Sequence, residues 1–264
     1  MRLRTLYLLF AVAGVVWAQT PAISTGGIVN GASFVQGQSI TGGSLVSIFG
    51  SNFASSIAGA DSIPLSTKLG GVTVNFINGN TSTPAPLLFV NSTQINAQVP
   101  WNLVPNGTTQ NVNVVVTTDA GSSTPASVSA GSFSPGIFSV GTLAAAQNVD
   151  GSLVQPPGSI PGRITHPAKV GEPIIIYATG LGAVDNPLSD GQIPAKLTNT
   201  LTTPIVLVGG VSARVLFHGL SPQFVGVNQL NVEIPNVPAG NSVSLQIQVG
   251  GITSPINITI ASTQ

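Results

Sequence analysis

In "NSTQINAQVP", residues 91–100, apolar and polar positions alternate. Ile95, Ala97 and Val99 fall on one face of an extended strand, and Gln94, Asn96 and Gln98 on the other. The phrase returns at 226–235 as "GVNQLNVEIP", with Leu230, Val232 and Ile234 in the apolar places and Gln229, Asn231 and Glu233 in the polar ones. Pro100 and Pro235 end both copies, since proline cannot donate to a ladder. The apolar triplets predict core. The polar triplets predict side chains bonded to neighbouring strands or loops, because buried amides must be satisfied. Gln94, Asn96, Gln229 and Asn231 are also candidate ligand contacts if that strip faces a partner.

The repeat extends well beyond this phrase. "GSLVSIFGSNFA" (43–54) parallels "GEPIIIYATGLG" (171–182), and "LGGVTVNF" (69–76) parallels "VGGVSARVLF" (208–217), with a longer strand in the second copy. "VPNGTTQNVNVVV" (104–116) parallels "VPAGNSVSLQIQV" (237–249), and both copies close on a last alternating strand, 126–130 and 256–261. Biased composition explains shared Gly and Val but not several matching blocks in one order. Each copy holds short strands with turn signals at the spacing of an Ig-like sandwich. The expected organisation is a signal peptide over 1–18, a first sandwich over 19–138, a hairpin and connector over 139–168, and a second sandwich over 169–264. Within the connector, "AAAQNVDGSLV" predicts a hairpin turning at Asp150-Gly151. Pro156, Pro157, Pro161 and Pro167 then give it connector chemistry, with Ile160 and Ile164 as the residues that could still pack it on a domain.

The opening "MRLRTLYLLFAVAGVVWAQT" has basic Arg2 and Arg4, an apolar run from Leu6 to Val16, and a small-residue cleavage site ending at Ala18. This is the pattern of a secretory signal peptide, too short for a comfortable membrane span, with an uncleaved N-terminal anchor as the alternative. The expected localisation is therefore secreted or cell envelope, extracellular or periplasmic. Removing Arg2 and Arg4 leaves five basic residues against seven acidic ones. So few cations cannot form the basic stripe that nucleic acid requires, nor a polybasic membrane patch. Cysteine is absent, so disulfides and thiolate metal sites are excluded. Apolar residues at 42% argue against disorder, and the wealth of Gly, Pro and β-formers predicts an all-β chain. A membrane β-barrel would require aromatic girdles and few prolines; 20 prolines and the sparse aromatics oppose it.

The blocks "IVNGASF", "GSLVSIFGSNFA", "LGGVTV", "PLLFVNSTQINAQVPW", "SPGIF", "DGSLVQPP" and "YATGLG" together resemble the uncharacterised Solibacter-type C-terminal domain family of exported acidobacterial proteins. Each copy is also similar to IPT/TIG domains, Ig-like modules of surface receptors, adhesins and secreted enzymes. The resemblance covers about residues 27–262. It implies an Ig-like β fold, which with the internal repeat gives two tandem Ig-like, IPT/TIG-like β-sandwich domains, and it supplies no activity and no functional residues.

Candidate chemistry is thin. A hydrolase needs a nucleophile, a base and an orienting group brought together. The two histidines are His166 in the proline-rich segment and His218, which precedes Gly219 and reads as a turn residue. No Gly-x-Ser-x-Gly elbow occurs, and no catalytic residue or cofactor is assigned. Asp185, Asn186 and Asp190 share the loop "AVDNPLSDG" and form a weak calcium candidate that lacks EF-hand spacing. Trp101, at the end of the repeated strand, is the better candidate for an exposed ligand contact, although packing is favoured for it. Tyr177 matches Phe49 of the other copy and is expected in the core.

The expected function is a non-enzymatic exported protein with a structural, adhesion or assembly role. The alternative is a glycan-binding or accessory module for a secreted hydrolase. Partners would be cell-surface glycans or other envelope proteins. Asn96→Ala and Asn231→Ala are each expected to lower the melting temperature; unchanged thermal unfolding in both would return the amide strip to the binding surfaces.

Overall fold

The computed structural model describes residues 19–255 and 257–264, so the expected signal peptide and Ile256 lie outside the described residues. Every regular element among the described residues is a β-strand, and the chain has two hydrophobic cores.

The first core lies between two sheets. One holds strand Leu45–Ser51 between Ala22–Asn30 and Gln94–Gln98, with Leu87–Val90 beyond. The other centres on Val72–Asn78 and Gln110–Thr118. Alternation does the work: Val72, Val74 and Phe76 meet Val112, Val114 and Val116 on the inner face, and all six are buried. Ile48, Ile95 and Ala97 fill the opposite layer.

The second core repeats this plan with a difference in connectivity. Strand Val211–Leu220 pairs with Ile205–Val208 over its first residues and with Asn228–Glu233 over the rest. One strand thus passes from one layer to the other, which joins the ladders into a continuous 14-stranded sheet folded over its own core. In the first copy this path is interrupted by the hairpin of Val72–Asn78 with Thr81–Pro84, and Pro84, Ala85 and Pro86 carry the chain across. Proline suits that crossing because it removes a donor that the ladder would leave unpaired.

The two copies agree in register. Val46 faces Ala97 and Ser47 faces Asn96 in the first; Ile174 faces Val232 and Ile175 faces Asn231 in the second. An irregularity recurs as well. The ladder slips between Leu87 and Phe89 opposite Ala97 and Asn96, and between Val215 and Phe217 opposite Val232 and Asn231. A bulge at the same place in both copies bends the strand at the same corner.

The segment 139–168 differs from the connector expected of it. Its short strands join the second sheet: Ala146–Asn148 pairs with Pro173–Thr179, and Ala168–Lys169 pairs with Thr259–Thr263. Ala144, Ala146, Val154 and Ala168 are members of the second core. The prolines sit in turns between these short strands, so they punctuate a packed segment instead of forming a linker. The hairpin itself is present, with Gln147 opposite Leu153 and Gly151 at φ 85°.

Val154→Ala should therefore cost about 1–3 kcal/mol, as truncation of a fully buried side chain does. A linker residue would change stability by less than about 0.5 kcal/mol. Chemical denaturation separates the two outcomes.

Candidate functional site

The first copy of the repeated strand also reaches the junction between the two sandwiches through Gln98. Its polar face divides into two fates. Gln94 Nε2 donates to Asn96 Oδ1 at 2.8 Å, and Gln229 Nε2 donates to Asn231 Oδ1 at 2.9 Å, so each copy closes its amide pair along its own strand. Ser47 Oγ donates to Asn96 Oδ1 as well, at 3.0 Å. Gln98 is different. It is fully buried; its Nε2 donates to Gly43 O at 3.3 Å, and its Oε1 accepts from Gly191 N of the second sandwich at 2.7 Å. The matching Glu233 faces outward and meets Arg214 at 3.4 Å.

Further bonds cross the junction beside Gln98. Leu45 N donates to Thr179 Oγ1 at 3.0 Å, and that hydroxyl donates onward to Gly226 O at 2.7 Å. Asn30 Nδ2 donates to Ser134 O at 2.7 Å; Ser134, expected in the first sandwich, has its N–H bonded to Gly180 O and leads into Gly136–Ile137, which pairs with Pro173–Thr179 of the second sheet. Gly226 has a φ of +70°, and a Cβ there would stand 2.6 Å from Leu45 Cδ2, so glycine is needed for both reasons.

Trp101 stands at this junction. Its backbone N donates to Asp190 Oδ1 of the second sandwich at 2.8 Å. Gly43, at φ +76°, backs the benzenoid end of the indole: a Cβ there would lie 2.3 Å from ring carbons. The indole N–H is enclosed, without an acceptor among the described residues. Trp101 is therefore half-buried and held by packing, and it is one of the residues lining a cleft of about 500 Å³ between the sandwiches. Asn102, Asn106, Thr81 and Thr83 line the cleft from the first sandwich, and Leu188 and Leu201 from the second.

A second groove between the sandwiches, of about 820 Å³, is apolar and includes Leu45, Leu88, Phe138, Tyr177 and Phe224. This corrects the expectation for Tyr177. Ile174, Ile176 and Ala178 occupy the inner face of its strand, so the period of two turns Tyr177 outward. Its hydroxyl donates to Gln147 Oε1 at 3.0 Å, and its ring meets Phe224 edge-on with centroids 6.3 Å apart.

The loop 183–191 puts its acids to separate uses. Asp185 accepts from Asn199 N at 2.9 Å, Asn199 Nδ2 at 3.0 Å and Asn186 Nδ2 at 2.8 Å. Bonds from Asn199 and Asn186 hold its carboxyl below the usual carboxylate range. Asp190 is turned to Trp101. Among the described residues, no three His, Cys, Asp or Glu side chains group as a metal site.

His218 lies within strand Val211–Leu220, not in a turn. Its Nδ1 is 2.8 Å from Thr200 Oγ1 and its Nε2 is 3.4 Å from Thr203 Oγ1, so its hydrogen bonds run to hydroxyls. Burial pushes its pKa down. His166 has a partner that the sequence reading missed: Nε2 lies 3.0 Å from Asp150 Oδ2. Ser152 Oγ donates to the other oxygen of Asp150 at 2.6 Å. The carboxylate stands between hydroxyl and imidazole, the wrong order for a base that activates a nucleophile. Asp150 is held well below its ordinary range, first by Ser152 and then by His166, while the bond to Asp150 raises His166.

The two histidines should titrate in opposite directions from the ordinary 6.5. The raised His166 contributes stability that is complete below 6.5 and lost as pH climbs through its folded pKa. The lowered His218 contributes above 6.5 and loses that contribution as pH falls through its folded pKa. NMR titration checks this: His166 should titrate above 6.5 and His218 below, and the reverse order would contradict both geometries.

Residues 33–133 match the family model of the IPT/TIG domain. No curated protein matches the chain. Among solved structures, the chain is similar to the Bacteroides ovatus mixed-linkage glucan utilization locus protein SGBP-B in complex with a mixed-linkage heptasaccharide. That likeness has 12% identity and a TM-score of 0.33, over 87% of this chain and 44% of that one. It is also similar to the surface glycan-binding protein PbSGBP-B of Prevotella bryantii, with 12% identity and a TM-score of 0.27, over 91% of this chain and 42% of that one. The FN1–FN3 domains of chicken CNTN1 give 11% identity and a TM-score of 0.23, over 93% and 66%. The chain spans less than half the length of the two bacterial chains. With its stacked antiparallel sheets and the match to its first copy, the chain is an all-β protein of Ig-like fold that carries an IPT/TIG domain at residues 33–133.

Proposed function

We propose that this chain is a non-enzymatic exported protein with an adhesion or assembly role at the cell surface or outside the cell, its two sandwiches acting as one body. The observation that carries this reading is the buried amide of Gln98, bonded to both sandwiches at once. Paired domains move relative to one another unless the contact between them is extensive. Here Gln98, Thr179, Asn30 and Asp190 tie the copies, so a partner touching both would meet a surface already ordered. The hydrogen bonds of both histidines and Asp185 support a non-catalytic role, because each group holds a strand or loop in place. The leader pattern and the Solibacter-type resemblance support export.

A second reading, a glycan-binding or accessory module for a secreted hydrolase, draws on the Trp101 cleft and its neutral polar lining.

Labelled chain comprising residues 19–264, which hold both cores, can be added to intact producing cells and to isolated envelopes. Saturable retention that survives raised salt is expected, since a surface so poor in charge binds by contacts that ions do not screen. Absence of retention on both, together with monomeric behaviour in solution, would overturn the adhesion and assembly reading.

A further inference from the structure

We infer that the Trp101 cleft binds a segment of a neutral glycan, with a sugar ring seated against the indole and its hydroxyls met by Asn102, Asn106, Thr81 and Thr83. The inference rests on the second reading above and gives it a site and a ligand class.

The lining contains no Asp, Glu, Lys, Arg or His. A charged ligand entering it would give up hydration without gaining a counter-charge, which is costly. A wholly apolar ligand would leave the amides and hydroxyls of the wall unpaired, which is also costly. A neutral sugar avoids both penalties. It offers a C–H face to an aromatic ring and, around its rim, hydroxyls that both donate and accept. Asparagine amides and threonine hydroxyls have the same dual capacity.

The polar side chains here are free to act, unlike those of the repeated strip. Gln94 with Asn96, and Gln229 with Asn231, each make one bond within their own strands. Asn102, Asn106 and Thr81 are exposed at the cleft, Thr83 is half-buried, and none of the four has a side-chain hydrogen bond to another described residue. The indole is already positioned by Gly43 behind its ring and by Asp190 on its backbone N–H. Its own N–H is enclosed, so hydrogen bonding to a ligand falls to the four neighbouring side chains. Leu188 and Leu201 close the cleft from the second sandwich, which the Gln98 bridge fixes in place. At about 500 Å³ the cleft falls within the range of ligand sites, which favour domain junctions. The larger groove at Tyr177 and Phe224 is mainly apolar, with Asp61, Ser62 and Gln223 on its wall, and nothing in the structure shows what covers it.

Residues 19–264 contain Trp101 as their single tryptophan, so intrinsic emission reports on this cleft directly. The chain should be screened on a glycan array, and its emission titrated with cellohexaose, xylohexaose, mannohexaose and, as a charged contrast, oligogalacturonate. At least one neutral oligosaccharide should change the emission saturably, and the uronate should not. The exposed pair Asn102→Ala and Asn106→Ala should keep the wild-type melting temperature and weaken binding at least about tenfold, equivalent to 1.4 kcal/mol. Binding nowhere on the array, with no emission change for any of the four, would overturn the glycan reading and the site together. Binding that persists undiminished in the double variant, with Trp101 emission unmoved, would overturn the site and leave the glycan reading standing.

Discussion

A single buried amide sets the relation between the two halves of this protein. Gln98 has no access to water, so both ends of its side chain must find partners inside, and the geometry supplies one from each sandwich. Separating the halves would take Gly191 N from Gln98 Oε1, and Thr179 and Asp190 would lose Leu45 N and Trp101 N with it. Glycine at 43 and at 226 permits the approach, since a Cβ at either place would overlap the neighbouring sandwich or the indole. Other features of the junction, including the Trp101 cleft, are consequences of that closeness.

The duplication shows how one strand pattern can serve two ends. Both copies keep the ladder register, the bulge, and the amide pair closed along the strand. They part at the third polar position. Gln98 turns into the junction, whereas Glu233 faces solvent beside Arg214. A carboxylate in the place of Gln98 could accept from Gly191 but could not donate to Gly43, and burying its charge would be costly. The neutral amide suits the buried copy and the acid the exposed one.

The ionisable groups follow the same economy. Asp150 ties His166 to a hairpin turn, Asp185 ties Asn199 to its loop, and Asp190 holds the chain at Trp101. In a chain with so few charges, most of the carboxylates with a partner fasten loops. The Trp101 cleft is left neutral.

The sequence by itself determined the all-β class, and it carried the repeated blocks and the alternation of core and polar positions along them. Those properties follow from local periodicity, which a period of two writes directly into the chain. It also showed the hairpin at Asp150-Gly151, because turn chemistry is local. Tertiary structure alone decided that 139–168 belongs to the second core, since proline and glycine mark where strands stop but not what lies between them. It moved Tyr177 to an outer face, placed His218 in a strand and paired His166 with Asp150. It also separated Gln98 from Gln94 and Asn96, three amides that alternation had put on one face. Which of them met water, a neighbour or another sandwich depended on where the second copy docked, and no local pattern carries that information.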